Sequence, residues 1–125
     1  MTDRSIPIRK MPCFWSGLGD DGPGIAAKIA KQKGGVTLET TLESQKIQMP
    51  KFNFNDSSSV QAWRNASEAY AKQASGEVRA IISSNVRADS IWNTVELPAL
   101  KANPNVTKII KVDPNTLIET TIFLR

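Results

Sequence analysis

Val78-Arg79-Ala80-Ile81-Ile82 is the most strand-like run in the middle of the chain, and Ser90-Ile91-Trp92-Asn93-Thr94-Val95-Glu96 follows it closely. The second stretch sets an aromatic ring, two hydroxyls and a carboxylate at the exit of a buried strand, just before a short helix expected over Leu97 to Ala102. In sheets with helices on their faces, ligands bind at the carboxyl ends of the strands. The exit is therefore where a working centre is expected. The same residues are also compatible with a plain loop carrying a half-buried Trp and a solvated Glu. The rest of the chain separates the two readings.

Upstream, Ser57-Ser58-Ser59 is expected to cap a helix over roughly Val60 to Ala74, closed by Gly76. Val60, Trp63, Ser67, Tyr70 and Ala74 fall on one face, with Arg64, Glu68 and Lys72 on the other. Trp63 and Ser67 are four apart, so their side chains lie side by side. Further back, Val36-Thr37-Leu38-Glu39 alternates as extended chain does, turning helical or irregular toward Lys46. A helix from about Pro23 to Lys33 is framed by a proline at its start and Gly34-Gly35 at its end, with Ile25, Ala26, Ile29 and Ala30 as its apolar stripe. It follows a glycine-rich turn, Gly17 to Gly24, and an apolar entry segment, Met11 to Ser16. Downstream, Val106 to Val112 and Leu117 to Leu124 read as strands joined by Asp113-Pro114-Asn115-Thr116, suited to a terminal hairpin. The sum is an α+β fold: a helical N-terminal part packed on a small sheet built from residues near 77–83, 106–112 and 117–124.

A chain of 125 residues reads as a single domain, with residues 1–10 as a short flexible arm rather than a signal peptide. No apolar run reaches membrane-spanning length, so no membrane span is expected. There is one cysteine, Cys13, in an apolar setting that suits a buried, inert thiol. There is no histidine. That removes Ser-His and Cys-His nucleophiles, histidine-based metal sites and imidazole acid–base pairs. Any catalysis must rest on carboxylates, hydroxyls, aromatics and fixed positive charge, and no metal is expected. The net charge of +4 is a modest attraction for anions, spread along the chain with no basic–aromatic stripe, so nucleic acid is not the expected partner.

Phe14-Trp15-Ser16, Thr37-Leu38-Glu39-Thr40-Thr41-Leu42, Trp63-Arg64-Asn65-Ala66-Ser67 and Ser90-Ile91-Trp92-Asn93-Thr94-Val95-Glu96 occur in that order. Together they resemble the ADP-ribosyl cyclase family, which cleaves NAD+ at the nicotinamide–ribose bond. The likeness runs from Phe14 to about Leu100. It implies a catalytic role for Glu96. It implies that Glu39 contacts the nicotinamide amide and biases hydrolysis against cyclisation. Trp15 and Trp63 resemble the indoles framing nicotinamide and ribose, and Ser67 the helix serine of the site. Ser16 and Ser90 resemble residues around the phosphates, and Trp92 a phosphate-side aromatic. The substrate implied is NAD(P)+, with no further cofactor. Animal members carry a basic residue after the Trp-Ser pair; Gly17 stands here, which leaves one phosphate contact to be supplied by backbone N–H groups of the turn or by Arg87.

The animal enzymes are longer and disulfide-rich. A short chain with one cysteine resembles instead the bacterial toxin domains that carry this fold. That resemblance implies an NAD-depleting domain secreted as part of a larger protein, delivered to the target-cell cytoplasm and neutralised by a cognate immunity protein. Two other functions fit the residues alone: a ribonuclease toxin domain, from size and basic balance, and a non-catalytic nucleotide-binding module.

Overall fold

The computed structural model describes residues 11–18, 21–53, 55–84 and 86–125. The expected arm lies outside the described residues, as do Gly19 and Asp20 of the glycine-rich turn and Asn85 after the central strand. In chain order the elements are β1 (Met11–Ser16), α1 (Gly22–Gln32), β2 (Gly35–Thr37), α2 (Leu38–Ser44), α3 (Ser57–Gln73), β3 (Gly76–Ile82), a π-helical turn (Trp92–Glu96), α4 (Leu97–Ala102), β4 (Val106–Val112) and β5 (Glu119–Leu124). They form the expected α+β fold. Its sheet has five strands in the order β2-β1-β3-β4-β5. The first four are mutually parallel, and β5 returns antiparallel on β4 as the expected hairpin.

β1 and β2 extend the sheet beyond the three strands expected. Met11–Ser16 shows no alternation because Cys13 and Phe14 point to opposite faces and both are buried. A strand covered on both sides loses its period of two. Burial also pushes the Cys13 thiol up to about 11, so it is the inert core residue anticipated.

The order of the strands determines where the helices go. The chain steps from β1 outward to β2, then back across β1 to β3 and on to β4. Parallel crossovers are right-handed almost without exception. The helix between β1 and β2 must therefore lie on the opposite face from those of the later crossovers. Accordingly, Ala26, Ile29 and Ala30 of α1 pack with Cys13, Ile81 and Val112 on one face. On the other, Leu38, Leu42, Tyr70, Ala71 and Leu100 pack with Phe14, Val78, Ala80 and Ile109. Truncating a side chain as buried as Leu100 to Ala would cost about 2–5 kcal/mol. Ile25, expected in the α1 stripe, is exposed at its margin.

Three local expectations are corrected. The extended run at Val36 ends at Thr37 and Leu38 is already helical. Thr37 Oγ1 accepts from Thr40 N at 3.2 Å and Thr40 Oγ1 accepts from Thr37 N at 3.0 Å, a reciprocal cap that starts α2. The cap of α3 is Asp56 rather than the serine run: its carboxylate accepts from Ser58 N at 3.0 Å. The stretch after Ser90 is a widened helical turn rather than a loop, with Leu97 N–H donating to the Trp92 carbonyl. Pro98 supplies a physical reason, since it has no N–H to give Thr94 and its ring crowds that carbonyl. Just past α4, buried Asn103 donates through Nδ2 to the Ala71 and Ala74 carbonyls at 3.1 and 2.8 Å. This satisfies the open end of α3, one wall of the cavity described next, and ties α4 to it.

Candidate active site

Connections leave β1 and β3 in opposite directions, which opens a crevice at their carboxyl ends. A cavity of about 1020 Å³ lies there. This is at the upper end of what small-molecule sites occupy.

β1 delivers Trp15 and Ser16. The six-membered ring of Trp15 lies on Gly22 at the start of α1, so closely that a Cβ there would stand 2.4 Å from it; only glycine fits. Trp15 Nε1 donates to Glu39 Oε1 at 3.1 Å. The cap at Thr37 is what turns Glu39 toward this indole: one residue of continued strand would have sent it elsewhere. α3 contributes Val60, Trp63, Arg64 and Ser67. Trp63 Nε1 donates to the Pro50 carbonyl at 2.8 Å, and so holds the segment bearing Lys51 and Phe52 at the cavity mouth.

The π-helical turn closes the third side. Ser90 Oγ accepts from Asn93 N at 3.1 Å, and Thr94 Oγ1 donates to the Ser90 carbonyl at 2.7 Å. The last residue of the turn, Glu96, is 6% exposed. Burial, reinforced by the charge of Glu39 and opposed by the Ser67 hydroxyl, pushes its carboxyl up to about 8. In the protein alone Glu96 therefore favours its protonated form at neutral pH. A cation set beside it would reverse that balance.

Every site residue anticipated from sequence lines this one cavity: Trp15, Ser16, Glu39, Trp63, Ser67, Ser90, Trp92 and Glu96. Trp92 differs from the rest. It is 4% exposed and its ring meets Phe14 at a centroid distance of 6.0 Å, so it forms floor rather than an open stacking face beside phosphates. Arg64 was assigned to the outer face of α3, yet it lines the cavity. The signal was present in the sequence: 60, 63, 64 and 67 is the i, i+3, i+4, i+7 stripe, and a charged residue within it was set aside for its polarity. Among the described residues, no group of three or more His, Cys, Asp and Glu is placed to hold a metal ion. No helix among them is long and apolar enough to cross a membrane.

No protein-family model matches the chain, and no curated protein matches it in sequence. Solved structures do. The chain is similar to the Aplysia cyclase crystallised with the substrate NGD and the product cGDPR, at 25% identity and a TM-score of 0.57, over 87% of this chain and 50% of that one. It is similar to an ADP ribosyl cyclase complexed with N1-cIDPR, at 24% identity and a TM-score of 0.60, over 87% and 51% of the two chains. Porcine CD38 is similar at 20% identity and a TM-score of 0.53, over 89% and 54%. The chain thus spans about half the length of these structures. The fold is cyclase-like, as the resemblance in sequence led us to expect.

Proposed function

We propose that this cavity binds NAD+ and cleaves its nicotinamide–ribose bond, releasing nicotinamide and ADP-ribose, with NADP+ as a second substrate. The observation that carries the reading is the meeting of Trp15, Glu39, Trp63 and Glu96, far apart in sequence, around one cavity.

The chemistry suits this residue set. Nicotinamide is a pyridinium cation in NAD+. When the C1′–N bond breaks, the electron pair goes to the ring nitrogen, so the base leaves neutral and needs no general acid. Positive charge passes to the ribose as an oxocarbenium-like centre. A carboxylate at that sugar stabilises the developing charge. Glu96 fills this role once its proton is lost, and the arriving pyridinium favours that loss, as an opposite charge at about 4–6 Å does. The Trp15 and Trp63 indoles offer faces for the cationic ring, an attraction worth about 2 kcal/mol when desolvated. Trp15 is pinned by Gly22 beneath it and by Glu39 at its N–H, so its face is set before the ligand arrives. Water then adds to C1′, and its proton leaves to solvent.

The biological setting we propose is that of an antibacterial toxin domain: carried by a larger secreted protein, delivered into the target-cell cytoplasm, depleting NAD there and held in check by an immunity protein. Disulfide-free construction, with its lone cysteine buried, supports work in a reducing cytoplasm.

Mixing the purified protein with NAD+ and following nicotinamide, ADP-ribose and cyclic ADP-ribose by chromatography tests the activity. Nicotinamide with ADP-ribose is the expected pair. NAD+ left intact at high protein concentration over the whole range from pH 6 to 9 sinks the reading. Expression in a bacterial cytoplasm should deplete NAD and arrest growth, and growth with undiminished NAD would refute the toxin role.

A further inference from the structure

Glu39 and Glu96 line the cavity together with three cations, Lys51, Arg64 and Arg87, and of these five Glu96 alone is buried. These cations are not equivalent. Arg87 faces Asp89 through two bonds, Nε to Oδ1 at 3.0 Å and Nη2 to Oδ2 at 3.1 Å, so its guanidinium fork is already matched to a carboxylate. Arg64 is half-buried in the cavity wall, and its bond is to a neutral group, Nη1 to Thr94 Oγ1 at 3.2 Å. No carboxylate pairs with it among the described residues. A guanidinium with only a hydroxyl as partner has most of its donors uncommitted to charge.

We propose that Arg64, backed by Lys51, is the phosphate-holding group of this cavity. It would clamp the pyrophosphate of a dinucleotide. The inference rests on the NAD+ reading for the identity of the dinucleotide, but the anion site itself follows from the charges. Helical spacing sets Arg64 one turn ahead of Glu68 on the outer surface yet within the Val60–Trp63–Ser67 stripe, so the guanidinium shares a wall with the Trp63 indole. The Trp63-to-Pro50 bond holds the segment that carries Lys51 beside the same wall. A ligand that carries both a cationic base and phosphates finds lining side chains of the opposite charge for each. On its arrival Arg64 exchanges the Thr94 hydroxyl for phosphate oxygen, a charge-assisted bond of roughly twice the strength.

The test uses Arg64→Gln and Thr94→Val in the whole chain, with two readouts. One is calorimetric binding of inorganic pyrophosphate. The other is steady-state cleavage of NAD+ and of nicotinamide riboside, which lacks phosphate. Arg64→Gln should weaken pyrophosphate binding and raise KM for NAD+ by roughly tenfold to a hundredfold, with a much smaller change in kcat. The penalty on nicotinamide riboside should be several-fold smaller. Thr94→Val, which removes the present partner and leaves the cation, should do neither. If Thr94→Val reproduces the Arg64→Gln loss, Arg64 acts by bracing the π-helical turn and the proposal is overturned. It is overturned equally if Arg64→Gln binds pyrophosphate as the parent does, or if the parent binds none. Should NAD+ not be cleaved at all while pyrophosphate binding depends on Arg64, the anion site stands and the NAD+ reading falls.

Discussion

Glu96 and Glu119 are the same side chain in opposite circumstances. Glu119, at the start of β5, receives Arg79 Nε at 2.7 Å and Lys33 Nζ at 3.2 Å. The Arg79 guanidinium above all, with Lys33 in support, holds its carboxyl down at about 2. Glu96 is buried in the cavity, makes no ion pair among the described residues and has a second carboxylate for a neighbour; its carboxyl stands at about 8. The ion pairs join β3, β5 and the end of α1 across the edge of the sheet, where salt and water limit their worth. Around Glu96 no described residue supplies the compensating ion pair. A structural role would call for such a charge, because an unpaired buried ion is costly. A site that waits for a cationic substrate would leave it out.

Replacing the uncompensated carboxylate breaks the comparison most severely. Glu96→Gln keeps shape and loses the charge, and turnover of NAD+ should fall by roughly a hundredfold to a thousandfold, as when one electrostatic stabiliser is removed. Stability should move the other way. A carboxyl raised from 4.5 to about 8 by folding favours the folded state while protonated, and this advantage is lost as pH rises through that window. The parent protein should therefore melt at progressively lower temperature from pH 5 to 8, and Glu96→Gln should flatten that decline. Near-parental turnover in a variant that melts normally removes Glu96 from the reaction.

The same carboxyl should govern the pH dependence of the parent. If the carboxylate is the working form, kcat/KM rises with pH until the free-enzyme group is ionised, near 8. At pH 6 it should lie about a hundredfold below its plateau, one decade per unit of pH. A rate–pH profile flat between 6 and 8 would mean that the reaction does not need the proton removed.

Much of this arrangement can be read from the sequence, and the failures have physical causes. The four short motifs mark the cavity because Trp15, Glu39, Trp63 and Glu96 stand in short runs of distinctive residues, whose order survives without any structure. β1 was not recognised, because burial on both faces erases alternation at Cys13 and Phe14. Val36 to Glu39 reads as extended by its alternation, and only the hydrogen bonds between Thr37 and Thr40 show that the helix starts at Leu38. Arg64 was overlooked because polarity was weighed above position. The state of Glu96 is not legible at all: a glutamate at the end of a helical turn looks solvated until Ser67, Trp92 and α4 are packed around it.

At the sheet edge, Glu119→Gln should leave NAD+ cleavage as it is and lower stability at neutral pH by roughly 1 kcal/mol, as expected for an exposed network. The sign with pH is opposite to that of Glu96. A carboxyl lowered from 4.5 to about 2 stabilises the fold above 4.5 and ceases to do so as pH falls toward 2. Parent and variant should therefore converge in melting temperature near pH 2. Divergence there, or a loss of activity at pH 8, would couple the edge to the cavity and undo the contrast.

The smallest effect sharpens the comparison most. Glu39 is one reason that Glu96 is raised, after burial itself. Glu39→Gln removes that charge while its amide oxygen can still accept the Trp15 N–H now bonded at 3.1 Å. The midpoint of the kcat/KM profile should then shift to lower pH by a fraction of a unit, with Trp15 fluorescence unchanged. The shift must be small because desolvation, the larger cause, is untouched. A shift to higher pH would mean that Glu39 does not act on Glu96 as a like charge. A midpoint dropping all the way to the ordinary carboxylate range would make repulsion rather than burial the dominant cause, and the surroundings of Glu96 would then be wetter than its 6% exposure implies.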